Sequence, residues 1–164
     1  MTKTAAQFFK DHLLQGIASL QALLDVLRTE QQCLEKGPEN TEKLESLTQQ
    51  KQTLLEKIQA DVDGRKRFLL DQGLTDDLAG VEAFIQSQSP GVATALGKGW
   101  KQLVDLMEKV HEQNLINGRL VNRAMQHFDL MLASLQHAPG EGKVKVYQPS
   151  GGSGVNLPRD LGKA

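Results

Sequence analysis

The stretch LGKGWKQLVDLMEKVHEQNLINGRLVNRAMQHFDLMLASL, residues 96–135, decides the fold. In it Leu96, Trp100, Leu103, Met107, Val110, Asn114, Asn117, Val121, Ala124, Phe128, Met131 and Leu135 alternate steps of four and three without a slip. That is the period of a packed helical seam, and its persistence predicts one long helix from Val92 to His137. Two amides sit in the seam, with Gly118 directly after the second. A polar seam residue lowers stability but fixes register and partner number, because a slipped pairing strands its hydrogen bonds. Two readings stay open. Either Asn114 and Asn117 hydrogen-bond across an intramolecular bundle, or they mark where the bundle ends and the helix begins to serve a partner. An apolar stripe of Val121, Phe128, Met131, Leu132 and Leu135 continues past them and suits a helical partner, methionine adapting to varied surfaces. Replacing both amides by leucine is expected to raise thermal stability and to favour self-association, since a continuous seam buries more apolar area.

Upstream, Phe9, Leu13, Ile17, Leu20, Leu24 and Leu27 recur every three or four residues and predict an amphipathic helix over residues 4–36. KGPEN (36–40) breaks it, Gly37 being suited to a helix end and Pro38 unable to continue one. Asn40 or Thr41 is expected to cap a second helix reaching Gln72 through Leu44, Leu47, Leu54, Ile58, Val62 and Leu69, with Lys51 and Arg65 interrupting its pattern. Gly73 ends it. TDDLAGVEAFIQS (75–87) predicts a short helix with Thr75 as its N-cap, and QSPG (88–91) a turn.

The composition agrees with helices throughout. Twenty-five leucines and 17 glutamines stand against 14 valines and isoleucines together, and unbranched or γ-branched side chains lose little rotamer freedom in a helix. The expected class is all-α: an elongated up-down-up three-helix bundle or antiparallel coiled coil, with a short extra helix between the second and third long ones. The last 27 residues hold six of the 15 glycines and three of the five prolines. They predict a flexible C-terminal tail over 138–164, set apart from a bundle domain over 1–137. Within the tail, KVKVYQP (143–149) carries the chain's one tyrosine, Tyr147, on strand-like alternation and is a candidate recognition segment.

Several function classes are excluded at this level. A net charge of −1 with interspersed signs gives no electrostatic footprint for nucleic acid or an anionic membrane. No apolar run approaches the roughly 20 residues that cross a bilayer, the N-terminus does not read as a signal peptide, and Cys33 has no second cysteine to pair with. HEQNL (111–115) begins like a zinc-protease motif, but Leu115 stands where the second histidine belongs. GVATALGKGW (91–100) departs from a phosphate loop by one residue in glycine spacing and by Gly99 at the magnesium-holding position. His12, His111, His127 and His137 show no metal-ligand spacing. No catalytic, cofactor-binding or metal-binding residue is expected, and the pattern fits a cytoplasmic protein.

EQNLINGRLVNRAMQHFDLMLASL (112–135), followed by VYQPSGGSG (146–154), resembles the FlgN-type flagellar export chaperones. EQQCLEKG (30–37) and QQKQTLLEKI (49–58) are similar to stretches of that family's first two helices. The resemblance implies a cytosolic, non-enzymatic protein. It would bind unpolymerised hook-associated junction proteins and bring them to the flagellar type III export gate, with export-gate and export-ATPase components as further partners. It implies client binding along 117–135 and a role for Tyr147, either at the gate or packed back on the bundle. The competing reading is a homo-oligomeric coiled-coil scaffold, which an uninterrupted seam would favour and the two amides weaken.

Overall fold

The computed structural model describes residues 2–136. They form α1 (Ala5–Lys36), α2 (Thr41–Asp71), α3 (Leu78–Gln86) and α4 (Pro90–Gln136), with a 3-10 turn at Pro38–Asn40 before α2. No strand occurs among the described residues. The long helices α1, α2 and α4 pack up-down-up around one core, with α3 as the short helix between α2 and α4. The chain divides into two compact units, Met1–Val121 and the remainder from Asn122; the core lies in the first.

Helix ends follow local chemistry. The Thr4 hydroxyl oxygen accepts the Gln7 N–H at 3.2 Å and starts α1, and Gly37, at φ 89°, ends it. Gly73, at φ 73°, ends α2: its N–H donates to the Leu70 carbonyl and the Leu74 N–H to the Leu69 carbonyl, both at 2.9 Å. That pair of bonds satisfies carbonyls the helix itself leaves open. Two expectations are corrected. Pro90 and Gly91 do not form a turn but open α4, because the first helical position needs no amide proton and tolerates proline's fixed φ. Nor does Thr75 cap α3. Asp77 does, its carboxylate accepting the Gly80 N–H at 3.0 Å while the Thr75 hydroxyl donates to the same oxygen at 2.6 Å. Gly80 is required there, since a Cβ on it would lie 1.7 Å from the Thr75 carbonyl oxygen.

One end of the core is aromatic. Phe9, Phe68 and Phe84, from α1, α2 and α3, meet with ring centroids 4.9–5.8 Å apart, and Phe8 stacks on Phe68 at 5.1 Å. Leu13, Leu20 and Leu24 of α1 then pack with Leu96, Leu103 and Leu106 of α4 along the bundle. The two charges that interrupt the α2 pattern have partners. Lys51 reaches Glu30 at 3.5 Å, and the Arg65 guanidinium lies 5.1 Å above the Trp100 ring. Burial pushes the Arg65 pKa below its usual value, with Asp61 opposing that shift.

Thr75 and Gly80 stabilise the ionised Asp77 carboxylate, chiefly through the threonine hydroxyl, and hold its pKa below the usual carboxylate value. A carboxylate with a depressed folded-state pKa adds stability above its unfolded pKa of about 3.9, and that stability is lost as pH falls through the lower folded value. Asp77→Ala should therefore lower the urea midpoint at pH 6, and the gap to the unaltered protein should shrink as the pH is lowered past the unfolded carboxylate value. A gap independent of pH would remove the carboxylate from this role.

Candidate functional site

The buried face of α4 runs through Leu96, Leu103, Leu106 and Asn117, with Val110 and Gln113 half-buried between them. Steps of four and three from Leu96 can be laid along two neighbouring faces of one helix. The expected seam took Met107 and Asn114 at alternate steps; the structure takes Leu106 and Gln113, one residue earlier. Met107 and Asn114 are exposed. The reason lies in α1: its apolar ridge approaches α4 on the side of Gly99, where a Cβ would sit 3.4 Å from Leu13 Cδ1. That contact turns the Gly99–Leu106–Gln113 edge inward.

The two amides consequently have different surroundings. Asn117 is 2% exposed. Its Nδ2 donates to the Leu27 carbonyl at 2.7 Å and to Glu30 Oε1 at 2.8 Å, and its Oδ1 accepts from Gln113 Nε2 at 3.0 Å. Gln113 Nε2 also donates to Gln31 Oε1 at 2.7 Å, and Lys51 adds its ammonium group from α2. One buried polar network thus joins all three long helices. Each amide proton of Asn117 has an acceptor, so the group loses little on leaving water. Asn114 instead lies on the rim of an open groove of about 290 Å³, whose floor is Leu20, Leu23, Leu27, Ile58 and Val110. Of the two open readings of the amides, the hydrogen bonds of Asn117 match the intramolecular one; the exposure of Asn114 does not.

Farther along α4, Val121, Met125, Leu132 and Leu135 are all exposed, from 40% at Leu132 to 79% at Leu135. Their spacing of four, seven and three places them on one helix face, with residue 128 at the intervening step. Leu130 is exposed as well. The side chains of Phe128 and Met131, and all of Tyr147, lie outside the described residues. Met125 belongs to this apolar surface, whereas Leu130, nine residues from Val121, lies on the opposite side of the helix; neither was singled out from sequence. The signal for Met125 was present, since it stands midway between Val121 and Phe128 in the same stripe. Glu30 and Gln113 were also missed as partners of Asn117, because nothing in their local pattern shows what faces them.

Among the described residues no group of three or more His, Cys, Asp and Glu side chains could hold a metal ion, and no helix is long and apolar enough to cross a membrane. His12 lies against Phe8, ring centroids 4.5 Å apart, and against Gly64. Cys33 is a buried free thiol.

The expectation that removing both amides stabilises the chain is overturned for Asn117. Asn117→Leu would leave the mostly buried Glu30 carboxylate without its closest donor, at a cost of about 2–3 kcal/mol. Asn114→Leu, at an exposed position, should shift stability by less than about 0.5 kcal/mol. Urea denaturation of the two single variants checks this; equal midpoints would contradict the network.

The model of the family described as FlgN protein matches residues 1–153. No curated protein matches the chain, and no solved structure does. With a match over nearly its whole length, the chain belongs to the FlgN family of flagellar export chaperones.

Proposed function

From this membership we propose that the chain is a cytoplasmic chaperone for unpolymerised hook-associated junction proteins, which it holds along the 121–135 face of α4 and brings to the export gate. One observation carries the reading: Val121, Met125, Leu132 and Leu135 form an exposed apolar stripe at helical spacing. An apolar stripe left in water by a folded chain supports a partner surface there. Export subunits that assemble through amphipathic segments present the complementary stripe before assembly. Covering that stripe with leucine and methionine needs no covalent chemistry, in keeping with a chaperone family and not an enzyme family. Each buried side chain contributes at about 25 cal/mol per Å² removed from water, less the cost of ordering both partners. Release at the gate then requires only that this affinity be moderate.

Phe128 and Met131 extend the proposed client face, and Asn114 lies on the same helix at the groove rim. Asn117 contributes to the bundle and not to the client surface. Tyr147 is proposed as a separate contact with the gate or the export ATPase, its ring offering large area with only two torsions to immobilise.

Leu132→Ala with Met125→Ala should weaken binding of a purified junction protein by about 2–4 kcal/mol in calorimetry. The melting midpoint of the free chain should stay where it is, because both side chains are exposed before binding. Tyr147→Ala should leave client affinity unchanged and lower client secretion. Unchanged affinity in the double variant would defeat the client face. Light scattering that finds a stable oligomer of the free chain, dissociated by the same double variant, would favour the self-associating scaffold instead.

A further inference from the structure

Helices α1 and α4 run parallel. A Cβ on Gly16 would lie 2.8 Å from Leu103 Cδ1, and fourteen residues farther along both helices Glu30 accepts from Asn117. The apolar ridges between them repeat every seven residues: Leu13, Leu20 and Leu27 on α1, and Leu96, Leu103 and Val110 on α4. Such ridges are nearly degenerate. Displaced by one heptad, about 10 Å at 1.5 Å per residue, leucine still meets leucine. The short connection from α3 constrains only the start of α4, where Gly91, Gly97 and Gly99 make the first turns weak helix. The fit of Leu103 over Gly16 involves the far end of a flexible side chain, which a rotamer change can remake.

The polar network has no such degeneracy. Seven residues before Leu27 and Glu30 stand Leu20 and Leu23; seven residues after them stand Leu34 and Gly37. Gln31 would likewise give way to Leu24 or Pro38 opposite Gln113. In either displaced pairing Asn117 would be buried without the carboxylate, and Glu30 would lose its amide donor. Stranding a buried amide and a buried carboxylate is a penalty that sliding apolar ridges do not impose.

We infer that Asn117 and Glu30 form the register lock of the bundle, the pair that selects one axial position of α4 along α1 from ridges that would otherwise accept a neighbouring one. The inference concerns the bundle alone and stands whether or not the client reading holds. It is tested by the distance between spin labels at the exposed positions Arg28→Cys and Glu112→Cys in a full-length Cys33→Ala background. The chain with its lock should give one narrow distance. Glu30→Leu with Asn117→Leu, which replaces the lock by apolar contact, should keep its helical circular dichroism and gain a second distance from a heptad-displaced population. Moving the amide by one heptad, with Val110→Asn and Asn117→Val, should shift the population toward the displaced distance, because the relocated amide meets Glu30 only there. An unchanged single distance in both variants would overturn the lock. Loss of helix in the apolar pair would do so too, since a device that only selects register is dispensable for the fold.

Discussion

The side-chain amide of Asn117, held between the Leu27 carbonyl and the Glu30 carboxylate, is the constraint on which the arrangement of the bundle turns. Apolar contact between helices is non-directional and tolerates sliding and rotation within a few residues. A buried amide tolerates neither, because its protons need acceptors at fixed places and water cannot supply them. Gln113, Gln31 and Lys51 extend the same constraint from α4 to α1 and α2. The orientation of α4, set where the α1 ridge meets Gly99, is the one in which this amide finds its acceptors. With Asn117 and Leu106 facing inward, Met107 and Asn114 must face outward, and the groove floored by Leu20, Leu23 and Ile58 opens beside them.

A chaperone has to be finished in itself and still present apolar surface to a client. The described residues of this chain include stretches of both kinds, buried and exposed. In the unit up to Val121 apolar side chains gather into one core, closed at its end by four phenylalanines. Farther along α4, Val121, Met125, Leu130, Leu132 and Leu135 stay exposed. Both stretches read as amphipathic helix, and only burial separates them. Holding and releasing another chain asks for such a surface and for no reacting group, in keeping with a family of export chaperones.

Much of the architecture was legible because it rests on local chemistry. Thr4, Gly37 and Gly73 mark helix ends by what their own backbones and side chains do, and the Leu13–Leu27 ridge declares its face without knowledge of its neighbour. What was hidden depended on the facing surface. Leu106 and Met107 are both apolar and adjacent, so their sequence could not tell which of them α1 would cover. Lys51 reads as an interruption until Glu30 is seen opposite it. Thr75 and Asp77 are both good caps two residues apart, and the carboxylate prevails because it accepts two hydrogen bonds where the hydroxyl donates one of them. The exposed stripe was legible at Val121, Leu132 and Leu135, whereas Asn117, placed by the same spacing rule, belongs to the interior.

The division between the two amides is the central claim, and nuclear magnetic resonance of the side-chain amide groups tests it most directly. In uniformly labelled protein the Asn117 Nδ2 protons should exchange slowly with solvent and show cross-relaxation to Leu27 and Glu30, while those of Asn114 should exchange at the rate of a solvated amide. Equally rapid exchange at both positions would contradict the account, for it would leave α4 without the bond that sets its place in the bundle.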